Sequence, residues 1–567
     1  MPKIEISRDK FFDALGRRFS YPELEELLTV AKGELDDVDE EEGLLKIELN
    51  DTNRPDLWSL RGLVRQLRTY LGEPAPTYPF ISRPNERKES GERTIEVDPG
   101  LREIRPYIAG FVARGRVVDD DLLRDLIQTQ EKLCWNFGQK RKAVAMGIYR
   151  STLIRYPVQY KAADPDRTRF VPLSMEKELS LREILREHPK GQEFGWIVEH
   201  LPAYPFLTDA RGEVLSFPPI INSARIGAVE VGDEELFVEL TGLDLKTILL
   251  ACTIVACDMA DEGFEILPVK VVYPYDTPMG RELTTPFAFQ TVEHTTRSAV
   301  EKLLGLNFTS EEISQALTRM GVSHTIEGDT ITIVPPVYRN DFLHPVDIAE
   351  DIMIGHGMDR FDPEMPRDFT VGRLSAAEER NRRVKMLMVG MGFQEMIFNY
   401  LGSRRDFIEK MRVSDEDAIR VANPLSENYE YVRPSVLPSL LAAESVSSHA
   451  VYPHHIFETG KVAKKDPEDN YGSKTYNMLG FLSADPKADF NMTSSHVAAL
   501  CYYLGKEYTL EPKEDPRFVP GRTAALLVGG REVGIFGEVH PEVLENWGIT
   551  MPCAACEINL DILFEAE

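Results

Sequence analysis

Four carboxylates offer the most concentrated chemistry in this sequence. Asp347, Glu350 and Asp351 lie at i, i+3 and i+4 of the helix-like stretch PVDIAEDIMIGHG, a spacing that puts all three on one face. Asp341, just before that helix, can reach the same place. Like charges so close repel unless a cation sits among them, and hard oxygen ligands favour Mg2+ or Ca2+ over zinc. Two readings stay open on these residues alone: a metal site, or acids favoured at a helix N-terminus by its dipole. Elsewhere, GQKRK (Gly138 to Lys142) is locally basic and reads either as a phosphate-holding loop or as a solvated turn. Cys553 and Cys556 form a single CxxC in a strand-like stretch; a structural zinc site needs four ligands, so these read as buried, idle thiols.

The elements that must position these residues form a diverged internal repeat. The first copy runs YPELEELLTVA, LLKIELN, NRPDLWSLRGLVRQLRTYLG; the second runs TSEEISQALTRMG, DTITIVP, YRNDFLHPVDIAEDIMIGHG. Arg54, Asp56 and Gly72 fall opposite Arg339, Asp341 and Gly357 without a gap. Both copies read helix, strand, turn, helix, with Leu60, Leu63, Val64, Leu67 and Leu71, or Ile348 and Ile352, at helical spacing. Opposite Asp347, Glu350 and Asp351 the first copy has Gly62, Arg65 and Gln66, so the shared fold does not require the acids. Two α+β modules follow, near residues 1–85 and 280–365. Between them, from 95 to 275, mixed α/β structure is expected: a helix LLRDLIQTQEKLCWNFG ended by Gly138, a buried strand AVAMGIY, and a buried helix TILLACTIVACDMADEG. From 370 to 567 strands and loops alternate after a basic amphipathic helix, which reads as an antiparallel sheet with helices on one face.

Composition agrees with several domains. One core rarely outgrows roughly 250–300 residues, and this chain has 567, with 43% hydrophobic and 28% charged residues. The longest central apolar run, Thr247 to Cys257, is 11 residues, short of the ~20 a bilayer needs. The start, MPKIEISRDKFF, has no basic region followed by an apolar stretch, so the expected compartment is the cytoplasm. The net charge of −28 opposes nonspecific polyanion binding by the chain alone and leaves nucleic acid to local basic patches or a partner. The acidic run Asp36 to Glu42 reads as a solvated loop.

Several stretches, in order along nearly the whole chain, resemble the phenylalanyl-tRNA synthetase β subunit of the archaeal/eukaryotic type. They are NRPDLWSLRGL, SFPPIINS, VELTG, YRNDFLHPVDIAEDIMIGHG, ANPLSENYEYVRPSVLPSLL and IFETGKV. The resemblance implies a multidomain α+β fold: winged-helix-like B1 and B5 modules, a B3/B4 editing domain between them, and a class II synthetase-like region without adenylation chemistry. It implies an (αβ)2 heterotetramer with a catalytic α subunit that handles ATP and phenylalanine, tRNA(Phe) as the nucleic-acid partner, and a Mg2+ site at Asp341, Asp347, Glu350 and Asp351.

It also implies a hydrolytic site for tyrosine mischarged onto the tRNA. An apolar pocket rejects an added hydroxyl by only roughly 10²-fold, whereas a second site that hydrogen-bonds the hydroxyl leaves its own polar groups unpaired when phenylalanine enters. By resemblance, Leu207, Ser216, Glu239 and Thr241 match tyrosine-recognising positions. Glu239 and Thr241 are two apart on a strand-like run and can face one side. Gln130, Arg141 and Asn222 match positions tied to hydrolysis and placement of the tRNA end. No Ser-His-Asp or Cys-His arrangement is legible there, so attack by water is expected rather than a covalent route. A second reading is a non-editing structural or tRNA-binding subunit, favoured by Glu239 standing where archaeal relatives carry aspartate. Pro520, Gly521 and Arg522 lack the context of an ATP-binding motif, and Tyr429, Arg433 and Glu458 are expected to serve packing and subunit contacts.

Overall fold

The repeat folds as two copies of one topology. In this computed structural model, which describes residues 2–83 and 91–566, the first copy places strand Lys3–Ser7, helices Arg8–Leu15 and Tyr21–Leu28, strands Gly33–Asp39 and Leu44–Leu49, and helix Leu60–Tyr70 in that order. The second has strand Glu293–Thr296, helices Arg297–Leu304 and Ser310–Arg319, strands Ser323–Glu327 and Thr330–Val334, and helix Pro345–His356. In each three-stranded sheet the last strand lies in the middle. Each copy therefore has one helix and two strands more than the sequence pattern shows. The strand Gly33–Asp39 takes in the first half of the acidic run read as a loop; it pairs along one edge only and carries mostly polar residues, so it lacks the alternation that marks a strand. Leu63, Leu67, Ile348 and Ile352 are fully buried as their spacing predicts, whereas Leu71 lies past its helix and is 42% exposed.

The chain divides into two compact units, Met1–Glu364 and Met365–Glu567. Within the first, both modules accompany a 10-stranded sheet. Its path runs from Ile221–Asn222 through Val214–Phe217, Tyr204–Thr208, Val158–Ala163, Thr94–Val97, Glu265–Val272, Tyr107–Arg114 and Glu235–Gly242 to Val144–Arg150. Helix Leu245–Asp261, buried along most of its length, packs on the strands Tyr107–Arg114 and Glu235–Gly242. Its C-terminal acids bind the first module: Arg65 donates to Asp258 at 2.5 Å and to Asp261 at 2.8 Å, and Ser59 donates to Asp258 at 2.7 Å. This is why the first copy carries arginine at 65: it is a buried docking residue there.

The second unit is built on a seven-stranded sheet, antiparallel except for one edge pair. Helices cover both faces, not one as the sequence suggests. Ala376–Gly390, Phe490–Leu504 and Leu560–Glu565 contribute to one apolar cluster, and Leu437–Val446 and Pro541–Trp547 to another. The strand Cys553–Asn559 feeds both, Cys556 into the first and Cys553 into the second, so the CxxC sulfurs belong to opposite faces and all six cysteines are buried and free. Arg433 and Glu458 form a buried bidentate pair at 2.8 and 3.0 Å inside this unit, and Arg522 is bound to Glu538 at 2.7 Å. Among the described residues no helix is long and apolar enough to cross a membrane.

Candidate functional site

The ten-stranded sheet curls until its two ends are bridged. Strand Val144–Arg150 closes one end, and the hairpin Val214–Phe217, Ile221–Asn222 closes the other. Across the seam the Arg150 N–H donates to the Ile226 carbonyl at 3.0 Å and the Asn222 side-chain amide reaches the Ile148 carbonyl at 3.4 Å, while on its own side the same amide reaches the Gly227 carbonyl at 3.4 Å. Side chains do the same. The Tyr149 hydroxyl lies 2.8 Å from Ser216 Oγ and 2.7 Å from Glu239 Oε1. A phenol has one proton, so it donates to the carboxylate and accepts from the serine.

Register explains the convergence. Ser216 is paired with both Leu207 and Asn222 on its two neighbouring strands, which sets those side chains in one row. Glu239 is paired with Gly147, and Phe237 with Tyr149, so the strand Val144–Arg150 lays a glycine beside the carboxylate and swings the tyrosine ring over it. A Cβ on Gly147 would stand 2.1 Å from the Tyr149 oxygen and 2.7 Å from Glu239 Oε1, so only glycine leaves room for the phenol. Glu239 is 2% exposed, and its second oxygen, Oε2, is buried without a protein partner. Burial pushes the Glu239 carboxyl from 4.5 up to about 7, against the pull of the Tyr149 hydrogen bond and the Arg105 charge.

Thr241 enters the site differently from the expectation. Its hydroxyl accepts from Arg105 Nε at 3.0 Å and its carbonyl from Arg105 Nη2 at 2.6 Å. Arg105, itself buried, also donates to the carbonyls of Lys142 at 2.9 Å and Arg141 at 3.2 Å. Thr241 therefore fastens the basic loop to the sheet rather than pointing a free hydroxyl into the row of Ser216 and Glu239. That loop follows a widened helical turn, Leu133–Phe137, at the end of helix Asp120–Lys132. Gly138 does not end it in a left-handed conformation. A Cβ there would meet the carbonyls of Val144 and Cys134 at 2.3 and 2.5 Å, and the left-handed backbone falls instead on Gln139, Lys140 and Arg141 with φ of 50, 54 and 67°. Three such non-glycine residues in sequence carry strain that the Arg105 bonds offset. Arg141 reaches across the seam to the Pro219 and Ile220 carbonyls at 3.2 and 2.9 Å, and the Gln130 amide donates to the Met146 carbonyl. Gln130 and Arg141 line a cleft of about 490 Å3 together with Cys134, Trp135 and Phe194.

Three residues of this cluster escape the sequence reading: Tyr149, Gly147 and Arg105. A glycine two before a tyrosine inside a buried strand is a legible sign of close approach. Arg105 gives no local sign, since its partner Thr241 is far along the chain.

The four acids of the second module do not form one ligand set. Arg339, fully buried, donates to Asp341 at 2.5 Å and to Asp351 at 2.6 Å. Asp347 accepts from the N–H groups of Leu343 and His344 at 2.7 and 2.6 Å as a helix cap. Glu350 accepts from Lys32 of the first module at 2.6 Å. Among the described residues no group of three or more His, Cys, Asp or Glu is arranged to hold a metal. The cation expected among these carboxylates is thus protein-borne: Arg339 between Asp341 and Asp351, Lys32 at Glu350. The first copy explains Asp351, because Gln66 there accepts from Arg54 at 3.1 Å as Asp351 does from Arg339. As arranged here, the residues do not fit Mg2+.

Comparison with known proteins joins these modules into one family. Residues 1–73 match the Phe-tRNA synthetase β subunit B1 domain, 294–358 the tRNA synthetase B5 domain, and 363–560 the phenylalanyl-tRNA synthetase β chain CLM domain. The phenylalanine–tRNA ligase β subunit of Borrelia garinii subsp. bavariensis is 50% identical over 567 residues, covering 99% of each chain. The chain belongs to the phenylalanine–tRNA ligase β-subunit family. A β subunit from Borreliella burgdorferi is 48% identical over 566 residues, again 99% of each. A crystal structure of an N-terminal fragment of the β subunit from Pyrococcus horikoshii has 36% identity and a TM-score of 0.58, covering 63% of this chain and all of that one.

Proposed function

We propose that this β subunit hydrolyses tyrosine mischarged onto tRNA(Phe) at the sheet seam, and that it supports a catalytic α chain that carries out ATP-dependent charging with phenylalanine. The observation that carries the editing reading is Glu239: a buried carboxylate with one unpartnered oxygen, joined through the Tyr149 hydroxyl to Ser216, which stands in a row with Leu207 and Asn222. A phenol donating to that oxygen satisfies it; a phenylalanyl ring leaves it unpaired at a cost of about 1–3 kcal/mol. In the hydrolytic step a water oxygen adds to the tyrosyl ester carbonyl. The bond to the ribose oxygen then breaks, and that oxygen takes up the proton as tyrosine leaves. Asn222, half-exposed, spends its amide protons on the Ile148 and Gly227 carbonyls through long bonds at 3.4 Å, which leaves its Oδ1 to accept from the attacking water and orient it. Gln130 and Arg141, on the wall of the adjoining cleft, are assigned to the tRNA end, with Lys140 and Lys142 supplying phosphate contacts.

Support for the docking role comes from the second unit, where Phe369, Ile397, Leu425 and Val451 are at least 85% exposed, an apolar burden suited to an obligate partner. We propose the (αβ)2 assembly, in the cytoplasm, with ATP and Mg2+ serving adenylation on the α chain. The archaeal/eukaryotic type is supported by the complete coverage of the Pyrococcus fragment, although the relatives near half identity are from Borrelia and Borreliella. The test is single-turnover hydrolysis of Tyr-tRNA(Phe) and Phe-tRNA(Phe) by the purified α–β complex. Wild type should clear the tyrosyl ester selectively and Asn222→Ala should not; clearance at the full rate by Asn222→Ala would overturn the assignment.

A further inference from the structure

The tyrosine-recognition row already contains a tyrosine of the chain itself. Tyr149 is fully buried, its ring stacked on Phe237 at 5.9 Å with an interplanar angle of 29°, and its hydroxyl sits over the missing side chain of Gly147. It engages Ser216 Oγ at 2.8 Å and Glu239 Oε1 at 2.7 Å, so both groups expected to read a substrate phenol are bound to a fixed internal one. What stays unpartnered is Glu239 Oε2.

We propose that Tyr149 is a specificity-determining positioning residue: by occupying Ser216 and one oxygen of Glu239, it leaves Oε2 as the single acceptor presented to an incoming tyrosyl phenol. This rests on the editing reading and deepens it. The proton inventory supports it. Tyr149 spends its one proton on Oε1 and Ser216 spends its own on the Tyr149 oxygen, so neither donor is left to satisfy Oε2, and the vacancy calls for a donor from outside. A phenol is such a donor and a phenyl ring is not. Tyr149 also tunes the acceptor. Its donated bond lowers the proton affinity of Glu239, as does the charge of Arg105; the remaining titratable groups acting with the carboxylate are Cys134 and Tyr160, both buried and both raised by that burial.

The test compares Tyr149→Phe, which keeps the ring, with wild type in the full α–β complex, using Tyr-tRNA(Phe) and Phe-tRNA(Phe) over a pH series. Loss of the phenol should lower kcat/KM for the tyrosyl ester by about 10–100-fold with Phe-tRNA hydrolysis unchanged. It should also move the acid limb of the tyrosyl profile to higher pH, which a merely structural role would not do. If Tyr149→Phe fails to fold, 3-fluorotyrosine at 149, nearly isosteric and a stronger donor, should move the same limb to lower pH. An unchanged Tyr/Phe ratio and limb would overturn the proposal. Glu239→Gln run in parallel separates the two claims: if it alone loses selectivity, the editing site stands and the role of Tyr149 falls; if neither variant loses it, the editing reading falls as well.

Discussion

Replacing Glu239 by glutamine should remove a pH-dependent weakness from the central sheet. The Glu239 carboxyl is nearly fully buried, and burial lifts it from 4.5 to about 7. Such a group is neutral in both states below pH 4.5, where it costs nothing. As pH rises through the window from 4.5 to about 7, the unfolded chain gives up the proton first, and stability is lost progressively. At ~1.4 kcal/mol for each pH unit, the gap comes to roughly 3 kcal/mol above neutrality. Glutamine still accepts from Tyr149 and cannot ionise, so the variant should gain that amount at about pH 8 and nothing at about pH 4.5. The assay is hydrogen exchange in strands Val144–Arg150 and Glu235–Gly242, expressed as protection factors so that the intrinsic pH dependence cancels; opening of the sheet is then read directly. A gain of on the order of 100-fold in protection at the higher pH is expected. An equal change at both pH values would refute burial of an ionisable carboxylate as its cause.

Other consequences can be checked with simpler variants. Gly147→Ala places a methyl 2.1 Å from the Tyr149 oxygen; overpacking by about 1–3 kcal/mol should lower the unfolding temperature and abolish tyrosyl selectivity together, and retention of both would contradict the close approach. Arg339→Met strands Asp341 and Asp351 in the interior and should destabilise the first unit by about 3–5 kcal/mol. Asp351→Asn copies the amide of Gln66 in the other repeat and should cost under ~1 kcal/mol; the reverse ranking in thermal melts would show that the two arginines are not equivalent. Chelation of divalent metals should leave the unfolding temperature of the isolated β chain unchanged, because Arg339 and Lys32 already compensate Asp341, Asp351 and Glu350, and backbone N–H groups hold Asp347; a fall of several degrees would restore the metal reading.

Much of this architecture is written locally. Leu63, Leu67, Ile348 and Ile352 mark two helices by spacing alone, and the gapless match of Arg54 and Asp56 to Arg339 and Asp341 betrays the duplicated module. The acidic edge strand Gly33–Asp39 is held by pairing to Leu44–Leu49 rather than by an apolar face, so no pattern announces it. The acid cluster shows the same limit. Spacing puts Asp347, Glu350 and Asp351 on one helix, but Asp347 caps that helix while Asp351 is neutralised by Arg339 and Glu350 by Lys32, more than three hundred positions away, and no periodicity carries that information. At the seam, Glu239 and Ser216 are legible by family resemblance, and Gly147 two before Tyr149 signals a close approach, but the partners that Tyr149 joins are set only when the sheet curls and brings its ends together. Long-range closure is the common cause of what the sequence leaves unread.

The position of a bound tyrosyl phenol decides whether Glu239 reads it. A crystal structure of the α–β complex with a non-hydrolysable 3′-amide analogue of tyrosyl-adenosine measures it. The phenol oxygen should lie within about 3 Å of Glu239 Oε2, with Tyr149 still on Oε1 and Asn222 facing the amide carbonyl. A tyrosyl ring bound away from Glu239, with Oε2 still unpartnered, would contradict the account.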